Sequence, residues 1–322
     1  MALLEVEDLC IDYKTKNGYL KAVDGVSFSL ERGASLGFVG ESGCGKTTIG
    51  MGLMGMLPPN GVVRRGRILF EGEDLLRMSA EEMRRVRWRK IAMIFQAAMN
   101  ALNPVQRVGE QVAEAMLVHN PSLGKEKALK AVEELFELVG LQTDRIRDYP
   151  HQYSGGMKQR AIIAMALACR PALIIADEPT TALDVIVQDQ ILAEIRTLQK
   201  EFNIGIIFIS HDISIVADMC HDIGIMYAGQ LVEYGPGEDV FDSPAHPYTR
   251  ALLSSFPTLT GKRTDLVPIA GETPDLVHPP EGCRFYDRCQ EQIPACREKV
   301  SRWVAISPRH KALCCRCEMD GR

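Results

Sequence analysis

No stretch of this 322-residue sequence stays apolar for long. The longest uninterrupted run is about nine residues, Ala161 to Cys169, well short of the roughly 18 needed to cross a bilayer, so no membrane span is expected. The start, Met1-Ala-Leu-Leu-Glu-Val-Glu-Asp, lacks the basic region and apolar stretch of a secretory signal. That predicts a chain folded in the cytoplasm, where thiols stay reduced. There is no excess of positive charge: 37 Lys and Arg against 42 Asp and Glu leave a net −5, which argues against one broad nucleic-acid-binding surface. No internal repeat is visible. Cysteine is sparse over residues 1–282, where Cys10, Cys44, Cys169 and Cys220 are scattered. Six more (Cys283, Cys289, Cys296, Cys314, Cys315 and Cys317) then crowd into the last forty positions.

What is present reads as an alternation of strands and helices. At about 100–200 residues per domain, the length suggests two units, or one large domain with an appendage. Short β-like runs are expected at Leu3–Cys10, Ser27–Leu30 and Ser35–Val39. Ser79-Ala-Glu-Glu82 has the form of a helix capping box. It leads into the basic run Arg84–Lys90, read as a solvated helix face, with a docking or nucleic-acid patch as the alternative. Ala128, Val132, Leu135, Phe136 and Val139 recur at helical spacing and predict an amphipathic helix over Lys125–Val139, stopped by Gly140. Ala172–Ala176 and Ile204–Ile209 are apolar almost throughout, as strands covered on both faces are. Between them Val187, Ile191, Leu192, Ile195 and Leu198 put an apolar stripe on a helix, the order of a parallel sheet. From Ser243 prolines accumulate and periodicity fades, so residues 243–322 are read as a separate, loop-rich appendage to a domain spanning 1–242.

Two motifs carry chemistry. Gly40-Glu-Ser-Gly-Cys-Gly-Lys-Thr47 fits G-x-x-x-x-G-K-[ST] after a strand and before a helix beginning near Thr48. Its glycines let backbone N–H groups close around phosphate oxygens, Lys46 reaches the terminal phosphates, and the Thr47 hydroxyl can ligate Mg²⁺. Cys44 lies in the loop with no required side-chain task. The strand Leu173-Ile-Ile-Ala then delivers Asp177 and Glu178 at its C-terminal edge. One acid suits the metal side, Asp177, and the other, Glu178, suits polarising the attacking water.

Tyr153-Ser154-Gly155-Gly156-Met157, followed by Lys158-Gln-Arg160 about twenty residues before the acid pair, resembles the signature of ATP-binding-cassette (ABC) ATPases. Gln96 resembles the family's Q-loop glutamine, Thr181-Ala182-Leu183-Asp184 its D-loop, His211 its switch histidine, and Tyr13 the aromatic residue that stacks on adenine. The resemblance covers roughly residues 3–240. It implies an α/β P-loop NTPase core with an antiparallel β subdomain and a helical subdomain at about 97–165. It further implies ATP held by Tyr13, Gly40, Ser42, Gly43, Cys44, Gly45, Lys46, Thr47 and Thr48. Mg²⁺ would be held by Thr47, Gln96 and Asp177, with Glu178, His211 and Gln96 catalytic. Ser154, Gly155 and Gly156 would reach the ATP of a second cassette, with Asp184 nearby. Met157 stands in place of the usual glutamine, and Ala97 in place of the acid often found after Gln96; neither departure removes a phosphate ligand.

Asn100-Ala-Leu-Asn-Pro104, Tyr149-Pro-His151 and His246-Pro-Tyr-Thr-Arg-Ala-Leu-Leu253 narrow the resemblance to ATPases of dipeptide, oligopeptide and nickel importers. The implied partners are a second ATPase subunit, usually a paralogue, two membrane-spanning permeases and an extracytoplasmic binding protein, without nucleic acid. The implied location is peripheral, on the cytoplasmic face of the membrane. Rival readings are a nickel-importer ATPase, a soluble cassette acting on nucleic acid or ribosomes, and a regulatory cassette without turnover; the intact Glu178 and His211 argue against the last. Cys283, Cys289, Cys296 and Cys314 supply four thiolates, the number used by a [4Fe–4S] cluster and equally by tetrahedral zinc. Spacing does not choose between these and metal-free thiols or disulfides. The subfamily resemblance favours [4Fe–4S] and, among Cys314, Cys315 and Cys317, favours Cys314 as fourth ligand.

Overall fold

The computed structural model describes residues 2–96, 101–181, 183–255, 269–299 and 301–319. Ala97, Asn100 and Ala182, singled out above, lie outside them. The chain forms two compact units, residues 31–34 with 77–208, and residues 2–30 with 35–76 and 209–322.

The first unit carries three strands, β6 (Ile91–Ile94), β7 (Leu173–Asp177) and β8 (Gly205–Ile209), with β7 between the other two. β6 runs parallel to β7, pairing Ile91 with Leu173 and Ile94 with Ala176. Every residue of β7 and β8 is buried, which is why both segments lack the alternation of a half-exposed strand. The helices are α2 (Ala80–Val86), α3 (Val108–His119), α4 (Lys125–Leu138), α5 (Gly155–Leu167) and α6 (Val185–Phe202). The capping box at α2 is complete: Glu82 N–H donates to Ser79 Oγ at 3.3 Å and Ser79 N–H to Glu82 Oε2 at 2.7 Å. The α4 stripe buries Ala128, Val132 and Phe136, as its spacing predicts. α6 buries Ile191, Leu192, Ile195 and Leu198.

The second unit holds an antiparallel four-stranded sheet in the order β2-β1-β4-β5, from β1 (Leu4–Thr15), β2 (Gly18–Leu30), β4 (Gly61–Phe70) and β5 (Glu73–Asp74). It also holds a run of five strands, β11 (Trp303–Ala305), β12 (Lys311–Leu313), β10 (Gln230–Pro236), β9 (Asp222–Tyr227) and β3 (Ser35–Val39), in that spatial order. β3 is parallel to β9, and the pairing of Glu233 with Ala312 brings β12 against β10. Helices α1 (Lys46–Leu53), α7 (Ile213–Met219), α8 (Gly237–Asp242), α9 (Pro247–Ser254), α10 (Pro294–Glu298) and α11 (Cys315–Met319) complete the unit. Its core joins Val39, Ile223, Ile225 and Tyr227 to Tyr248, Leu252 and Phe285. A carboxylate lies in this unit too. Glu233 is fully buried and accepts from Ala245 N–H at 2.7 Å, His246 N–H at 2.9 Å and His310 Nε2 at 2.7 Å. These bonds hold its carboxyl below the usual range, against the burial that pushes it up.

Candidate active site

In the second unit β3 ends at Val39 and the glycine-rich loop begins, with α1 starting at Lys46. Gly40 and Gly45 are sterically required. Gly45 has φ 107°, and a Cβ there would lie 2.3 Å from the Ala22 carbonyl oxygen; one at Gly40 would lie 2.1 Å from that of Met226. Lys46 is buried, and its ammonium donates to the Gly40 carbonyl at 2.7 Å and the Glu41 carbonyl at 3.0 Å. Thr47, Ser42 and Gly43 are exposed. The Cys44 thiol is buried, which pushes its pKa up, in keeping with a packing role. The Tyr13 hydroxyl lies 3.2 Å from Thr48 Oγ1, so the half-buried Tyr13 adjoins the first turn of α1. His211 is exposed just before α7. Asp212 caps that helix by accepting from Ser214 N–H at 2.9 Å.

In the first unit the predicted carboxylates stand at the C-terminal edge of β7, Asp177 buried and Glu178 partly so. Gln96 and Glu178, separated by 82 residues, come together: Gln96 Nε2 donates to Glu178 Oε2 at 2.8 Å. Thr181 Oγ1 donates to the same oxygen at 3.0 Å. Glu178 has φ 49°, a left-handed conformation that a residue with a Cβ adopts at a cost. Ser154 is the N-cap of α5, its Oγ accepting from Met157 N–H at 3.3 Å, and Ser154 and Gly155 are exposed. A helix start of this kind presents backbone N–H groups suited to an anion. Gly156 packs so closely that a Cβ there would come within 2.8 Å of Val187 Cγ1. Asp184 caps α6, accepting from Val187 N–H at 2.9 Å.

Sequence reasoning missed a set of contacts on the glycine-rich loop. Arg288 donates from both terminal nitrogens to the Glu41 carboxylate, at 2.7 and 2.8 Å, and Glu41 N–H donates to Tyr248 Oη at 3.0 Å. No local pattern signals a pairing between residues 247 positions apart.

The cysteines are brought together only in part. Cys283, Cys289, Cys296, Cys314 and Cys315 line one cavity of about 10 Å³, room for about one water. Cys283 N–H also donates to the Cys296 carbonyl at 2.7 Å. Burial pushes the Cys283 thiol up to about 12 and raises Cys289 and Cys296. Cys314 is lowered by hydrogen bonding with Cys317. Among the described residues no group of three or more His, Cys, Asp or Glu is arranged to hold a metal ion. The donor set suits iron–sulfur or zinc in kind, but as placed it encloses too little space for a four-iron cluster, and the expected ligand set is not assembled.

Residues 23–181 match the ABC transporter family, and residues 232–296 match the oligopeptide/dipeptide transporter C-terminal region. The chain is 44% identical over 315 residues to a dipeptide transport ATP-binding protein, DppD, of Bacillus subtilis, covering 97% of this chain and 94% of that one. It is 48% identical over 287 residues to the oligopeptide transport ATP-binding protein OppD of the same organism, covering 88% and 80%. For OppD of Escherichia coli the figures are 43% over 297 residues, 92% and 88%. A dimeric bacterial ABC transporter cassette shares the fold at a TM-score of 0.66 and 24% identity, over 72% of this chain and 98% of that one. The cbiO1 protein of Clostridium perfringens, part of the ABC transporter complex cbiONQ, superposes at 0.65 with 29% identity over 75% and 91%. The chain belongs to the ABC transporter ATPase family, in the branch that carries the oligopeptide/dipeptide transporter C-terminal region.

Proposed function

We propose that this chain is the ATP-hydrolysing subunit that powers import of di- or oligopeptides through an ABC transporter. The observation that carries the reading is similarity along nearly the whole chain, C-terminal region included, to dipeptide and oligopeptide transport ATP-binding proteins. The backbone of Gly40–Thr48 cradles the phosphates, Lys46 turns from the Gly40 and Glu41 carbonyls to the terminal phosphate, and Tyr13 stacks on adenine. Thr47, Gln96 and Asp177 offer a hydroxyl, an amide and a carboxylate, hard oxygen donors of the kind Mg²⁺ takes. Mg²⁺ bound by these residues would neutralise charge on the phosphates. Glu178 orients and deprotonates the attacking water, steadied by Gln96, and His211 contacts the terminal phosphate and that water. Ser154, Gly155 and Gly156 complete the ATP site of a second cassette, most simply a paralogue, and Asp184 lies at that junction.

Two permeases and an extracytoplasmic peptide-binding protein complete the assembly, with this chain on the cytoplasmic face of the membrane. No helix among the described residues is long and apolar enough to span a membrane. Residues 1–242 form the nucleotide-binding domain and 243–322 its C-terminal extension. The four-cysteine set Cys283, Cys289, Cys296 and Cys314 is a metal site in this reading, for [4Fe–4S] or, alternatively, zinc, on the strength of the subfamily resemblance; the thiols as placed do not assemble it. Loading it requires that the thiols lose protons and the cavity open.

The test is reconstitution in vesicles with the candidate permeases and binding protein. Labelled di- and oligopeptides should enter with ATP present and fail to enter with Glu178→Gln. Uptake of Ni²⁺ in place of peptide would move the chain to the nickel branch, and turnover stimulated by nucleic acid or ribosomes would refute transport. Iron, sulfide and zinc analysis of anaerobically purified protein decides the cysteine site.

A further inference from the structure

Glu41 occupies the first variable position of the phosphate loop, and each of its polar groups is engaged. Its N–H donates to Tyr248 Oη at 3.0 Å, its carbonyl accepts from Lys46 Nζ at 3.0 Å, and its carboxylate takes the fork of Arg288. Arg288 is equally committed. Its Nε donates to the Ala270 carbonyl at 3.0 Å, its terminal nitrogens also reach Tyr227 Oη and the Ile269 carbonyl, and its guanidinium lies 5.6 Å from the centre of the Tyr227 ring. The Arg288 side chain is 5% exposed, against 28% for Glu41. A guanidinium with its five donors so occupied is fixed in place, and bidentate pairing adds directional strength.

The segment that delivers Arg288 is itself anchored. Arg284 donates to the Asp24 carboxylate and the Ala228 carbonyl, and Gly229 N–H donates to the Cys44 carbonyl at 3.0 Å. Between the two arginines Phe285 meets Tyr227 and Tyr248 edge-on, with ring centres 5.2 and 5.3 Å apart. The Cys283–Cys289 turn is thus fastened directly to the nucleotide loop at its Arg288 end, and at its Arg284 end to Ala228, whose neighbour Gly229 bonds that loop.

The puzzle is the charge. An acid in a loop that must receive a polyphosphate opposes its ligand, and Arg288 is the cation that cancels it. We infer that Arg288 is a positioning residue of the ATP site: it neutralises and pins Glu41, so that the C-terminal region sets the affinity of the phosphate loop for nucleotide. The inference rests on the assignment of Gly40–Thr48 as the phosphate loop.

The experiment measures MgATP binding and steady-state ATP turnover in the full chain. Arg288→Ala should weaken MgATP binding about tenfold, the scale of one uncancelled charge in a partly screened site, raising KM while kcat at saturation changes less than twofold. The defect should shrink as salt rises. Arg288→Ala combined with Glu41→Gln should recover most of the affinity although the ion pair is gone, and Arg288→Lys should fall between. Glu41→Gln alone leaves the arginine unopposed and should tighten MgATP binding several-fold, which keeps the test decisive if Arg288→Ala does not fold. Wild-type affinity in Arg288→Ala, failure of the double variant to recover, or weaker binding by Glu41→Gln would each overturn the inference. Lys46→Ala is the control. If it binds MgATP normally, the phosphate-loop assignment has failed instead.

Discussion

Glu178 can be tested through its backbone as well as its carboxylate. Its φ of 49° lies where a residue with a Cβ pays roughly 1–2 kcal/mol and glycine almost nothing. In an ordinary strand or helix the order is opposite, glycine being worse than alanine by roughly 0.5–1 kcal/mol. Both Glu178→Gly and Glu178→Ala lose the bonds from Gln96 Nε2 and Thr181 Oγ1, so that loss cancels between them. The expected result is a glycine variant more stable than the alanine variant by about 1 kcal/mol, both with turnover reduced by about 10²–10⁴. Urea unfolding followed at Trp88, which lies in the same unit, reads the first quantity. At roughly 1–3 kcal/mol per molar urea, the midpoints should differ by about 0.3–1 M. Phosphate release on the same preparations reads the second. An alanine variant more stable than the glycine one would refute the left-handed backbone, and turnover within threefold of wild type in either would refute Glu178 as the base. A residue held in a costly conformation is best explained by what its side chain does.

Glu233→Ala strips the acceptor from three buried donors and should cost about 4 kcal/mol, read as a lower urea midpoint at Trp303; a loss under 1 kcal/mol would show the network to be dispensable. His246 is held neutral by burial, its pKa near 4 against an ordinary 6.5. The unfolded chain therefore takes up the proton first as pH falls, and stability should drop between pH 6.5 and 4 by up to about 3 kcal/mol. His246→Asn, which retains an N-cap acceptor for Tyr248 N–H, should flatten that slope, and an unchanged slope would exonerate the histidine. Gly156→Ala forces a Cβ to within 2.8 Å of Val187 Cγ1 and should cost about 1–3 kcal/mol together with loss of ATP-driven dimerisation, measured by light scattering. Normal dimerisation would remove the signature helix from the interface.

The elements that could be read in advance are those whose cause is local. The phosphate loop, β7 and the α6 stripe follow from spacing and burial within a dozen residues, and the Ser79 cap from four. Where neighbours decide, the reading fell short. The sequence reading ends β1 at Cys10, although Ile11-Asp12-Tyr13-Lys14 still alternates apolar and polar. It continues to Thr15 because β2 and β4 pair with it on both sides, Tyr13 facing Leu20 and Gly61. β11 and β12, three residues each, are too short to show a period and form against the edge of β10. The Gln96–Glu178 contact was reachable only through family resemblance, since nothing between the two residues encodes it. The thiol spacing named a ligand set, whereas the packing around it leaves a cavity for a single water.

The Arg288–Glu41 pair also has a consequence in time. Glu41 and Arg288 are separated by 247 residues, and at roughly 5–20 residues per second a ribosome needs roughly 12–50 seconds to travel from one to the other. Throughout that interval the nascent chain carries a phosphate loop with its acid uncancelled. A growing chain therefore gains its full grip on nucleotide only after the turn holding Arg288 has been made and has docked, which delays tight ATP binding until nearly the whole subunit exists.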